Sequence, residues 1–243
     1  MIPVDIQAER VYLSPRLSIS IQRAEYLRAF EKEPPHNQGA LPLHRVSDYS
    51  QVLPATWHKE AGVFVPLLPD EALWLGLSGT TERPNAVRIY LDDINAVTGK
   101  LSPPDFHSSM QDYLVCPPQL HWDGVRTGGT VEPFAAPILT RDPGIFKTLR
   151  VMVYEALPEI SFRKREQPTR GIPVPLQAAS RDPASREFSS VMADPYGRET
   201  WDEKSATTLC VQFVEPALYE SVTRKAAPQP ADRKDVFTRY RLP

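Results

Sequence analysis

The amino-acid sequence predicts a mainly β protein, sandwich-like and antiparallel, with a few short helices. Three observations carry this expectation. The 243 residues include 26 prolines, about twice average usage, and each fixes φ and removes a backbone donor, which excludes long uninterrupted helices. Short β-branched or aromatic runs recur between Pro, Gly and Asp punctuation, at the spacing of a sandwich. The 41% apolar and 24% charged content is that of an ordinary globular chain, long enough for one large β domain or two small ones.

In chain order, the strand candidates are Val63 to Leu68, Ala72 to Ser78, Val87 to Leu91, Tyr113 to Cys116, Leu149 to Glu155 and Leu209 to Val214. In Ala72 to Ser78, Leu73, Leu75 and Leu77 alternate with Trp74 and Gly76. Both faces are apolar, which places the strand at the centre of a sheet and Trp74 in the core. A helix is expected over Ser20 to Glu33, where Ile21, Ala24, Leu27 and Phe30 form one stripe ahead of Pro34-Pro35, and another from Pro216 to about Lys225. A single helical turn is expected after Asp92 or Asp93, with Ile94 and Val97 inward and Gly99 as its left-handed stop. Pro34 to Pro54, Thr80 to Asn85 and Arg163 to Tyr196 read as loops.

Two internal echoes bear on domain organisation. Ile2 to Ala8 recurs as Ile172 to Ala178 with five identities in seven positions, and Val97 to Pro103 recurs as Val222 to Pro228. Each copy of the second echo follows a strand candidate, and both echoes keep the same order. The expectation is a β-rich N-terminal domain, residues 1–162, and a smaller related β/α half, residues 171–243, with the boundary at 160–171 beside the loop 163–196.

Composition narrows the partners. A net charge of −2, from 28 basic and 30 acidic residues, sets up no field to gather nucleic acid, and no basic stripe is interleaved with aromatics. The N-terminus lacks the basic head and apolar run of a signal peptide, and no segment approaches the roughly 18 apolar residues of a membrane span. Cys116 and Cys210 are too few for a disulfide scaffold. The expectation is a cytoplasmic protein with no nucleic-acid or membrane partner and no cofactor.

The densest cluster of chemically capable residues runs from Met110 to Gly124 and holds Asp112, Cys116, His121 and Asp123, with His107 upstream. Cys116 ends an apolar run before two prolines, with no glycine-rich turn to present it, so burial as a small hydrophobe accounts for it better than nucleophilic catalysis. The donors match none of the tight ligand spacings, and no metal is expected. Trp122-Asp123-Gly124 reads as a turn in which the Asp carboxylate accepts backbone N–H groups and Gly takes positive φ. Asp92, Asp93 and Asn95 lack the rest of a calcium loop. Gly128-Gly129 is a turn with no helix behind it to hold a phosphate.

Gln111 to Gln119 followed by Trp122-Asp123-Gly124, with Ile94 to Gly99 upstream, resembles a family of uncharacterised bacterial and fungal proteins in which INAVTG-like, QDYLVxP-like and W-x-DG-like motifs follow in this order. The tail from Val211 to Pro243 is also similar, whereas Phe134 to Glu159 lacks that family's glycine-rich stretch. The resemblance brings no activity and no catalytic residue with it.

Three function classes follow. The first is a non-catalytic binding or protein-interaction module, with exposed prolines and the aromatics Tyr49, Trp57, Phe64 and Trp122 as candidate recognition residues. The second is a hydrolase-like enzyme whose site between the two halves gathers Asp92, Asp93, Asp112, His121 and Asp123. The third is a structural subunit that self-associates through its proline-rich loops.

Overall fold

The computed structural model describes residues 4–25, 37–59, 62–69, 71–101, 110–160, 162 and 190–229. Its strands, in chain order, begin with β1 (Asp5–Gln7), β2 (Arg10–Ser14), β3 (Leu17–Glu25), β4 (Asn37–Ala40), β5 (His44–Arg45), β6 (Gly62–Pro66), β7 (Glu71–Gly79) and β8 (Asn85–Leu91). They continue with β9 (Ile94–Asn95), β10 (Leu114–Cys116), β11 (His121–Trp122), β12 (Gly124–Thr127), β13 (Thr130–Ala135), β14 (Thr140–Asp142), β15 (Ile145–Phe146), β16 (Leu149–Glu155) and β17 (Thr207–Val214). Among the described residues two α-helices accompany them, α1 (Ala136–Leu139) and α2 (Pro216–Thr223), with four short 3-10 turns.

Among the described residues the strands build two large sheets and the separate two-stranded hairpin β14–β15. The first has the order β1-β2-β3-β7-β13-β12, with β4 also on β3 and β11 also on β7; the second has the order β10-β8-β16-β17-β6-β5, with β9 also on β8. Pairing is antiparallel throughout both sheets except between β17 and β6. One apolar layer fills the space between them, with Ile19, Ile21, Leu73 and Leu75 from the first sheet against Val63, Ile89, Val151 and Val211 from the second. The mainly β, sandwich-like class read from the sequence is the observed one.

The alternation in β7 explains its place. Leu73, Leu75 and Leu77 face the second sheet, while β3 and β13 pair with its two edges. The strand is central, as expected. Trp74 is not in the core: it lies on the opposite face and is half-buried.

The helix expected from Ser20 is replaced by a strand. Leu17, Ile19 and Ile21 alternate into the core, and this period of two outweighs the three-residue stripe once β7 offers a full-length partner. Residues 26–33 of that expectation lie outside the described residues. The helical turn expected after Asp92 is instead a β8–β9 hairpin in which Asp92 takes φ +52°. The Asn95 carboxamide oxygen accepts from the N–H groups of Val97 and Thr98, both at 3.0 Å. Gly99 does take positive φ, +70°, and Val97 is buried. The helix expected from Pro216 is α2.

The two copies of the second echo adopt different conformations. Val97 and Thr98 lie in the turn after β9, whereas Val222 and Thr223 end α2. Residues 172–178 and most of the loop 163–196 lie outside the described residues. β17, from the C-terminal part of the chain, sits between β16 and β6, so strands from either side of residues 160–171 share one sheet.

Candidate binding surfaces

The residues that the sequence nominates for chemistry are dispersed. Asp112 precedes β10 on the outer side of the second sheet, fully buried, where its carboxylate accepts from Arg88 Nη2 at 2.6 Å and its carbonyl accepts from the Asn95 amide at 2.8 Å. His121 is exposed on the outer side of the first sheet, opposite Gly76. Asp123 is half-buried, and its carbonyl accepts from Phe134 N–H at 2.9 Å. Asp112 and His121 therefore sit on opposite outer faces of the sandwich. Asp92 holds Arg141 at 2.6 Å on the surface, and His107 lies outside the described residues.

Trp122 is completely buried, and its indole N–H donates to the Gly124 carbonyl at 2.6 Å. Gly124 does not take positive φ. It opens β12 against β13, where a Cβ would lie 2.0 Å from the Glu132 carbonyl oxygen, so close backbone approach is what requires glycine there. Cys116 and Cys210 are both buried, and burial pushes the Cys116 thiol up to about 12. Such a thiol carries almost no thiolate at neutral pH. Among the described residues no group of three or more His, Cys, Asp or Glu side chains is placed to hold a metal ion.

The aromatic candidates near the N-terminal third pack together. Phe64 is fully buried, with Tyr49 and Trp57 half-buried around it and Tyr219 of α2 closing the cluster. At its centre His44 stacks on Phe64, with ring centroids 5.3 Å apart. The His44 ring nitrogens meet two hydroxyls, Tyr219 at Nε2 (2.9 Å) and Tyr49 at Nδ1 (3.3 Å). A neutral imidazole satisfies both, donating through one nitrogen and accepting through the other. Burial, together with Lys225, lowers its pKa below the ordinary 6.5 against the opposing effect of Asp48. The arrangement ties α2 to β5.

Concavity appears elsewhere, at the end of the sandwich where the β14–β15 hairpin approaches the start of α2. An open pocket of ≈ 480 Å³ is walled by Leu67, Pro69, Pro143, Phe146, Pro216 and Ala217, within the usual volume range of ligand sites. Gly144, at φ +74°, forms the hairpin tip. The Glu215 carboxylate lies beside it, 4.0 Å from the position a Cβ would take. Ile145 and Leu218, next to wall residues, are 52% and 46% exposed. The sequence signal for this site is the placement of Pro69 and Pro143 just after strands and of Pro216 at the start of α2, legible only as proline-rich punctuation.

Among the described residues no helix is long and apolar enough to cross a membrane. No family model, no curated protein and no solved structure matches the chain.

Proposed function

We propose that this chain is a non-catalytic protein-interaction module that docks an extended segment of a partner protein in the pocket between the β14–β15 hairpin and α2. The observation that carries this reading is the pocket itself: its walls are apolar, and the exposed Ile145 and Leu218 neighbour the wall residues Phe146 and Ala217 along the chain. A monomer that leaves such a patch uncovered exposes surface of the kind used for partners. Its proline walls are rigid before binding, so little ordering entropy is lost when a segment docks. Glu215 lines the pocket, Asp142 is exposed on the hairpin beside Arg141, which is paired to Asp92, and the lining residues include no lysine or arginine. The partner segment that complements this is an apolar side chain followed closely by Lys or Arg. A cytoplasmic setting belongs to the same reading, supported by the two buried thiols.

Selection of short displayed peptides against the full chain tests the proposal. Apolar-basic sequences should be enriched, and they should bind the Ala217→Trp variant at least tenfold more weakly. Ala217 is exposed on the helix surface, so the larger ring fills the groove without entering the core. Peptides that bind both proteins equally, or a selection that enriches nothing, would overturn it.

A further inference from the structure

The outer face of the first sheet carries a second set of unassigned groups, away from the pocket. Register places Gln22 directly opposite Trp74, and both Ser20 and His121 opposite Gly76. With the leucines of β7 turned to the core, these side chains share the outer face. The half-buried Trp74 indole leans along its own strand, so that a Cβ on Gly76 would lie 3.4 Å from its Cζ3 atom. Exposed His121 meets the indole edge to face, at 6.3 Å between centroids and 86°. Tyr12, 39% exposed, belongs to the same face, because Val11 beside it is buried in the core and Tyr12 itself pairs with Ser18.

Between the two aromatics the face is polar, with Ser18 and Ser20 buried beneath Arg10. Arg10 lies across it, donating to Ser18 Oγ at 2.8 Å, to Ser20 Oγ at 3.1 Å and to the Ser18 carbonyl at 3.0 Å. The Gln22 amide donates to Ser20 Oγ at 2.8 Å, which leaves its carbonyl oxygen unused among the described residues. The His121 nitrogens make no hydrogen bond there either, and Ser78 is exposed. Strand spacing and rise put Tyr12 and Trp74 about 15 Å apart, with Arg10, Ser20 and Gly76 between them.

We infer that this face is a binding track for a neutral oligosaccharide. A pyranose ring offers an apolar C–H face and a rim of hydroxyls, which matches an indole framed by a carboxamide, an imidazole and a serine. Two aromatics about 15 Å apart fit a chain of several sugars better than a single ring. A nucleotide is a poor match, because Arg10, the cation of the track, already directs Nε, Nη1 and Nη2 to Ser18, Ser20 and Gly76, so phosphates would lack a bidentate partner. An apolar peptide is equally poor, since docking would strand Gln22, Ser78 and His121 without water. The ligand class is thus set by what surrounds the aromatic planes.

Titration of the full chain with neutral cello-, xylo-, malto- and chito-oligosaccharides of graded length, followed through the tryptophan indole N–H resonances, tests the inference. The Trp74 resonance should shift with at least one series, and affinity should rise with length until both aromatics are spanned. Trp74→Ala should lose at least tenfold in affinity, Trp74→Phe should retain most of it, and Tyr12→Ala should weaken long oligosaccharides while leaving short ones unchanged. The Ala217→Trp variant should bind sugar as the parent does, which keeps this result independent of the pocket. If Trp74→Ala does not fold, Gln22→Ala at a half-exposed position takes its place and should weaken binding several-fold. An indole spectrum unmoved by every series, or shifts that survive these substitutions, would overturn the inference.

Discussion

At Gly124 the backbone is extended and the constraint is space, because the Glu132 carbonyl of the neighbouring strand occupies the position a side chain would need. The sequence marks this glycine for the right reason of indispensability but the wrong geometry. W-D-G spacing reads as a turn, and nothing local announces that β13 will pass within contact of residue 124. Gly124→Ala should therefore destabilise the chain by about 2–3 kcal/mol, the cost of forcing a methyl against a packed backbone. Chemical denaturation of the two proteins measures it, and equal midpoints would show that the β12–β13 ladder shifts to admit the methyl. Asp112 offers the reverse lesson. Its sequence neighbourhood looked catalytic, yet its carboxylate answers Arg88, fully buried on β8, and such a pairing is invisible until β10 is known to lie beside β8.

Elements were legible where one periodicity had no rival. The six strand candidates all fall on observed strands because each is a short apolar run bounded by Pro, Gly or Asp, and α2 is marked by Pro216 at its first position. β3 failed that test because Ile21 belongs both to the strand alternation Leu17, Ile19, Ile21 and to the helical stripe Ile21, Ala24, Leu27, Phe30, and the strand won through pairing with β7. α2 also shows what fastens an element once formed. Its Tyr219 hydroxyl meets the His44 ring, whose other nitrogen faces Tyr49, with Asp48 and Lys225 as the nearby charges. Since burial holds the folded-state pKa of His44 below 6.5, the unfolded chain binds the proton more readily. Stability is then complete above about pH 6.5 and declines as the pH falls through that value toward the folded pKa. Replacing His44 with Gln, which retains a donor and an acceptor, should flatten the unfolding temperature between about pH 7 and pH 5. A variant that retained the parent slope would place the titrating group elsewhere.

The whole molecule was the least legible level, since sheet order depends on contacts between distant segments. β3 and β7 are far apart in sequence, and β17 reaches back to pair in parallel with β6 while also pairing with β16. Run by run, the sequence predicts two layers of strands but not which strands are neighbours. The division into residues 1–162 and 171–243 is therefore decided best by separating them. Residues 1–162 alone would lack β17, leaving β16 and β6 with unpaired edges in the middle of the second sheet. They would also lose Leu209, Val211 and Phe213 from the core, which at about 1.5–3 kcal/mol for each fully buried side chain amounts to much of the roughly 5–15 kcal/mol that holds a domain together. The Arg23 guanidinium, bound bidentately to Glu71, would also lose the Gln229 carbonyl that accepts from it at 2.9 Å. The expected result is that residues 1–162, expressed alone, show no cooperative thermal transition and that adding residues 171–243 in trans restores one only if β17 can insert between two exposed edges. A cooperative transition for residues 1–162 by themselves would mean that β16 and β6 close on each other without β17, and would establish the N-terminal part as an independent folding unit.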